Sequence, residues 1–207
     1  MDRVKHDPSK SQLRRRLREM RNRLTPQEQN AAAARLVTRF VTSPLFRSSR
    51  RIACYLPNDG EIDPTPLIER LWKMKRQCFL PVLSRLSRDR LWFAQVLPDT
   101  PLAPNRFGIP EPVVTAGSLL RAQELDLILM PLVGFDLKGN RLGMGGGFYD
   151  RSLEFLRHRR NWHKPRLIGL AHECQRLATL APEPWDIPLQ GVVTDRAIYL
   201  TNRNEGK

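Results

Sequence analysis

Two spacings of apolar residues run along the chain and divide it into helices and strands. Leu13, Leu17, Met20 and Leu24 recur every three or four positions, which places them on one face of an amphipathic helix with arginines around the rest. Thr25-Pro26-Gln27-Glu28 is a capping box with proline at the first helical position, so a second helix is predicted over Pro26 to Val41. Short apolar runs then replace the helical period. Arg51 to Leu56, Cys78 to Leu83, Leu91 to Val96, Leu127 to Leu132, Leu167 to Ala171 and Gly191 to Thr194 have the length of strands. The run from Leu127 is apolar apart from one proline, as expected of a strand buried on both faces of a parallel sheet. Helices are predicted from about Pro64 to Lys75 and from Phe148, through Leu153 and Leu156, to about Arg160. The alternation is βαβ, and the fold class it predicts is α/β.

The connections carry their own signals. Asn58-Asp59-Gly60 is a turn that would present Glu61 at a strand end. Pro98 to Pro112 is rich in proline and reads as a rigid loop, not a domain linker. There is no internal repeat, and only Asn202 to Lys207 forms a short polar end.

With 207 residues, 41% of them hydrophobic, the chain can bury one substantial core, and a single domain over 1–207 is expected. It contains no apolar run of about 18 residues to span a bilayer and no secretory signal at its polar start, so a cytoplasmic protein without membrane contact is expected. Cys54, Cys78 and Cys174 lack metal-ligand spacing and read as reduced thiols. His6, His158, His163 and His172 show no metal-pair spacing either.

The formal charge of +14 changes the picture, because such a balance attracts nucleic acid as readily as small polyanions. Nine basic residues against three acids fall in the first 23 positions, so part of the excess belongs to one helix and reads equally as a solvated face. Lys10 and Arg14 stand apart: their i, i+4 spacing puts both cations on one side of that helix.

The sharpest chemistry lies between the apolar run at 127–132 and the helix predicted from Phe148. Gly139, Gly143, Gly145, Gly146 and Gly147 allow positive φ and close backbone approach, so their N–H groups can converge on anionic oxygens, with Arg141 and Arg151 adding charge. A helix starting at Phe148 would bring its positive dipole end to the same place. The segment has neither the Lys-Ser/Thr ending of a P-loop nor the spacing of a dinucleotide fingerprint. Phosphate binding and a plain structural turn both remain open on these residues alone.

The string from Leu125 to Arg151, LDLILMPLVGFDLKGNRLGMGGGFYDR, resembles the 5-formyltetrahydrofolate cyclo-ligase family, also called methenyltetrahydrofolate synthetase. The resemblance extends in order to Lys10-Ser11-Gln12-Leu13-Arg14, to the stretch from Tyr55 to Ile62, and to Pro184-Trp185-Asp186-Ile187-Pro188. It implies a single-domain open, largely parallel sheet with helices on both faces and an active site at strand ends. It also implies ATP-driven conversion of 5-formyltetrahydrofolate to 5,10-methenyltetrahydrofolate, with Mg²⁺ as the cofactor and a monomer as the working form. By the same resemblance, ATP would meet Lys10, Ser11, Gln12, Leu13 and Arg14, and the segment Arg141, Leu142, Gly143, Met144, Gly145, Gly146, Gly147, Phe148 and Tyr149. The folate would meet Arg14, Leu56, Glu61, Phe107 and the segment from Met144 to Phe148. Lys10, Arg14, Arg141 and Arg151 would carry the catalytic charge, and Asp150 and Asp186 would ligate the metal. The chain departs from the family's usual pattern at Trp185, where a polar residue is common, at Gln190, where an acid is common, and at Gly146, a lysine in some members. A basic nucleic-acid-binding protein and a different ATP- or sugar-phosphate-dependent enzyme are the rival readings.

Overall fold

The computed structural model describes residues 9–83, 89–158 and 164–201. His6, His163, the expected helix end at Arg160 and the polar segment from Asn202 lie outside the described residues. The helices are α1 (Lys10–Asn22), α2 (Pro26–Val41), α3 (Pro44–Arg47), α4 (Thr65–Lys73) and α5 (Phe148–Leu153). The strands are β1 (Arg51–Ala53), β2 (Gln77–Leu83), β3 (Leu91–Val96), β4 (Leu102–Pro104), β5 (Pro110–Pro112), β6 (Leu119–Leu120), β7 (Leu127–Pro131), β8 (Gly134–Phe135), β9 (Arg141–Leu142), β10 (Arg166–Ala171), β11 (Gly191–Thr194) and β12 (Ile198–Leu200).

Eight strands form the main sheet in the order β12-β11-β10-β7-β1-β2-β3-β6. The middle five, from β11 to β2, are parallel, while β12, β3 and β6 add antiparallel edges. Side-chain alternation divides the core in two. Ile52, Cys78, Leu80, Leu127, Leu129, Ile168 and Leu170 face one side with α2, α3 and α4. Ala53, Phe79, Ile128, Met130 and Leu167 face the other side with α5 and the 3₁₀ turn at Glu154–His158. Both faces are therefore covered, which is why the central runs read as continuously apolar.

The N-terminal signals behave as their chemistry requires. The Thr25 N–H donates to the Glu28 carboxylate at 2.8 Å and the Glu28 N–H donates to Thr25 Oγ1 at 3.3 Å, fixing the start of α2 at the predicted residue. This helix buries Leu36 and Phe40, and Phe40 meets Phe46 of α3 edge-on at 5.5 Å. Truncating a fully buried phenylalanine such as Phe40 to alanine would cost about 3–5 kcal/mol.

Several boundaries differ from the expectation. The α1 stripe docks Leu13, Leu17 and Met20 on Val133, Leu142 and Leu180, but Leu24 lies past the helix end and outside that cluster. Among the arginines of α1, Arg21 is fully buried, contrary to a solvated face. β1 ends at Ala53 instead of Leu56, because the chain turns away there towards Asn58–Gly60. The helix from Phe148 keeps α geometry only to Leu153 and tightens to 3₁₀ through His158. The proline-rich stretch is a hairpin: β4 and β5 pair antiparallel with Pro104 opposite Pro110, standing apart from the main sheet, where proline's missing donor is tolerated.

Candidate functional site

A cleft of about 870 Å³ opens where the chain leaves β1, β2 and β7 at their C-terminal ends, represented in its wall by Tyr55, Pro81 and Pro131. This is the usual location for ligands in open parallel sheets. Three elements close over it: α1, the glycine loop with α5, and the β4–β5 hairpin.

The glycine loop stands on a stem. β8 and β9 pair with Gly134 opposite Leu142 and Phe135 opposite Arg141. Asp136, buried at the stem's turn, accepts from the Lys138 N–H (3.0 Å), the Asn140 N–H (3.0 Å), the Asn140 amide (2.9 Å) and the Leu180 N–H (2.9 Å). Beyond Leu142 the chain takes φ of 105° at Gly145 and 66° at Gly147, conformations that suit glycine. Gly147 is the N-cap of α5, and among the described residues no side chain caps that end. Arg14 reaches across from α1 and donates its Nε–H to the Gly143 carbonyl at 2.8 Å, so α1 and the loop form one wall.

Cations and carboxylates interleave around this wall. Lys10 Nζ lies 2.9 Å from Glu183 and 3.7 Å from Asp186. Arg141 donates to Asp150 Oδ1 at 2.6 Å, while its Nε is buried without a partner among the described residues. The Ile187 N–H also donates to Asp150 Oδ1, at 3.2 Å, which brings the segment carrying Asp186 against α5. Asp186 Oδ2 accepts from the Glu183 N–H at 2.8 Å. Among the described residues neither Asp150 Oδ2 nor Asp186 Oδ1 accepts a hydrogen bond. Two carboxylates with a spare oxygen each fit a hard cation that keeps water and nucleotide oxygens as its other ligands, and they fit magnesium better than a metal needing a protein cage. Among the described residues no group of three or more histidine, cysteine or acidic side chains could form such a cage. Arg151 donates to the Gly146 carbonyl at 2.6 Å and lies 5.4 Å from the Phe148 ring centre.

A second set of groups in the same cleft has a different character. Burial pushes the Glu61 carboxyl up to about 7, against the pull of the Arg21 guanidinium and of the Asn58 N–H, which donates to it at 3.2 Å. Burial also raises the Tyr149 hydroxyl well above its ordinary value, with the Glu61 charge adding to the effect. Phe107, at the exposed tip of the hairpin, meets Phe148 edge-on at 5.8 Å, and Arg106 lies over both rings. Asn105 holds that tip by accepting from the N–H groups of Phe107 (2.9 Å) and Ile109 (3.2 Å).

Lys10, Arg14, Leu56, Glu61, Phe107, Arg141 to Arg151 and Asp186 thus share one cleft. The side chains of Ser11, Gln12 and Leu13 do not line it. Ser11 bonds the Ser9 hydroxyl, Gln12 completes the α1 capping box with Ser9, and Leu13 packs beneath the helix. Gln190 is also elsewhere, accepting from the Leu167 N–H, so its departure from the family pattern does not reach the carboxylates. Trp185, by contrast, stands exposed in the cleft wall. Sequence reasoning missed Asn58, Glu154 and Arg157 in the lining. The spacing of Asp150, Glu154 and Arg157 on one helical face was the available signal.

The class defined by this fold and cleft is an α/β protein whose glycine-rich loop overhangs a cleft at the strand ends. A family model described as the 5-formyltetrahydrofolate cyclo-ligase family matches residues 6–195. The 5-formyltetrahydrofolate cyclo-ligase of Escherichia coli strain K12 is 40% identical over 183 residues, 88% of this chain and 98% of the relative. Its counterpart from Haemophilus influenzae is 41% identical over 182 residues, 87% of this chain and 94% of the relative. The NMR structure of Aquifex aeolicus 5,10-methenyltetrahydrofolate synthetase superposes with a TM-score of 0.78 at 31% identity, covering 96% of this chain and 94% of that one. The chain belongs to the 5-formyltetrahydrofolate cyclo-ligase family.

Proposed function

We propose that the protein converts 5-formyltetrahydrofolate and ATP into 5,10-methenyltetrahydrofolate, ADP and phosphate, with Mg²⁺ as cofactor. The observation that supports this reading best is the presence, in one cleft, of a cationic glycine-loop wall and the partly buried carboxylate of Glu61. The loop wall suits a triphosphate, and the carboxylate suits the N–H donors of a pterin.

The formyl oxygen of an amide-like group is a poor leaving group. Transfer of the γ-phosphoryl to it gives an imidate phosphate and ADP. The neighbouring amine nitrogen then attacks the formyl carbon and loses its proton, the carbon–oxygen bond breaks with release of phosphate, and the ring closes. For this the chain must align oxygen and phosphorus and hold charge in place. Lys10 and Arg14 present two cations from one helical face, and the Gly143–Gly147 backbone offers N–H groups at close range. The buried, unpartnered Nε of Arg141 adds a further donor beside the loop. Asp150 and Asp186 would hold the magnesium ion, whose charge neutralises the nucleotide's phosphates. Glu61 accepts from the pterin, Leu56 forms apolar wall, and Phe107 and Phe148 offer aromatic surface to the flat ring.

Absorbance near ~360 nm, where a conjugated methenyl product absorbs, tests the reading when purified protein is mixed with 5-formyltetrahydrofolate, Mg²⁺ and ATP beside an ATP-free control. Growth only with ATP is expected. ATP binding without growth would move the function to another phosphoryl acceptor.

A further inference from the structure

Asp59 gathers three side chains from one helix. Its Oδ2 accepts from Arg18 at 2.5 Å and from Arg21 at 3.0 Å, and its Oδ1 accepts from Asn22 at 3.1 Å. Arg21 does more than pair with the carboxylate. Its Nε donates to the Asp59 carbonyl at 2.7 Å, and its Nη1 donates to the Leu132 carbonyl, just beyond β7, at 3.2 Å. The guanidinium is completely buried. A single fork therefore joins α1, the turn after β1 and the end of β7, which is the bidentate use that lysine cannot reproduce.

That turn is conformationally unusual, since Asp59 has φ of 52° and is followed by Gly60 at 74°. It closes on itself through the Asn58 carbonyl, which accepts from the Glu61 N–H at 3.1 Å. A non-glycine residue in the left-handed region persists where its surroundings over-determine it, and here α1 supplies the determination. The helix that carries Lys10 and Arg14 thereby also fixes the turn that presents Glu61 to the same cleft.

We propose that Arg21 is a positioning residue for Glu61: it holds the Asn58–Glu61 turn against α1 and supplies the positive charge that keeps the Glu61 carboxylate available to a ligand's N–H donors. The charged and titratable groups around Glu61 are Arg21 from α1, Asp59 from its own turn, Tyr55 after β1 and Tyr149 from α5. Behind Arg21 is His172, kept below its ordinary value by burial. Of the influences on the Glu61 carboxyl, burial is the largest and acts upward, and Arg21 is the leading one that acts downward.

The inference rests on the folate reading for the identity of the ligand, so two measurements separate them. In ligand-free protein, ¹³C NMR of labelled glutamate carboxyls, with Glu61 assigned by its loss in Glu61→Gln, should give a midpoint about 7 in the wild type. In Arg21→Gln it should rise by roughly one pH unit, and in Arg21→Lys it should stay near the wild-type value. In the cyclisation assay both variants should raise KM for 5-formyltetrahydrofolate by roughly tenfold, with KM for ATP within about twofold. An unmoved midpoint in folded Arg21→Gln, or equal losses for both substrates, would overturn the role. If Arg21→Gln does not fold, Asp59→Asn decides: the midpoint should fall, because a like charge is removed, while KM for the folate rises. No change in either would overturn the proposal. A wild type that fails to cyclise would retire the folate reading alone, because the NMR arm needs no substrate.

Discussion

Arg141 and Asp150 meet at 2.6 Å in the wall of the cleft, and among the described residues the same guanidinium's buried Nε has no partner. The pair fixes the arginine in the cleft wall beside the glycine loop. In the proposed reading the same aspartate also holds the metal. Both functions of Asp150 run through its charge, and the first prediction follows from that.

Asp150→Asn should lower kcat/KM by on the order of 10²-fold and raise the Mg²⁺ concentration needed for half-maximal rate. The asparagine still offers an oxygen to Arg141 and to the Ile187 N–H, so the far-ultraviolet spectrum should be unchanged. A magnesium titration of the cyclisation rate checks this, and wild-type kinetics would remove Asp150 from the metal site.

Lys10→Ala should raise KM for ATP by roughly tenfold or more, the scale of one charge-assisted contact to phosphate. Its ion pairs with Glu183 and Asp186 are partly exposed, so thermal stability should change little. Initial rates at varied ATP, set beside a melting curve, separate the two effects.

Gly147→Ala forces an L side chain to φ of 66° and places its Cβ 2.5 Å from Arg151 Nη1. The backbone strain is about 1–2 kcal/mol, and the guanidinium must leave the Gly146 carbonyl it now reaches. We expect a lower melting temperature together with a several-fold rise in KM for ATP. A variant that melts earlier but binds ATP normally would make Gly147 a purely structural turn.

The Glu61 carboxyl, raised to about 7 in the fold from an ordinary value of 4.5, gives a pH dependence with a definite sign. The native state holds this proton more tightly than the unfolded chain, so the group's contribution to stability is fully present below 4.5 and is lost as pH rises towards 7. Glu61→Gln removes the titration, and its stability relative to wild type should improve between those limits. Activity should run the other way, since a carboxylate accepting pterin N–H groups must be ionised: kcat/KM for the folate should show an acid limb near 7 that is absent from ATP binding. Denaturation and rate profiles across pH 4–8 would be the measurements, and a limb far from 7 would dissociate Glu61 from the folate.

How much of this was legible in the sequence depended on whether the signal was local. The parallel strands announced themselves because both faces are buried, as at Leu127–Pro131, and α2 announced itself because Thr25 and Glu28 cap each other across one turn. Lys10, Arg14, Glu61 and the glycine segment, which share one cleft, were singled out by their resemblance to a family. Arg21 was not legible: in composition it matches Arg15, Arg18 and Arg23, and only the distant backbone of Asp59 and Leu132 makes it internal. The β4–β5 hairpin was hidden by Pro104, Pro110 and Pro112, which argue against a strand except where no ladder needs their missing donors. The edge strand Ile198–Leu200 was too short to show a period, and its existence depends on the already formed β11 beside it.

The four bonds that converge on Asp136 bear on how tightly the cleft can grip anything at all. They shut the base of the glycine loop before any guest arrives, so the entropy of closing that hairpin is surrendered during folding and is not subtracted from each binding event. A loop this rich in glycine would otherwise have much disorder to lose on every encounter. Anchored in this way, it can take up and release a ligand through contacts alone.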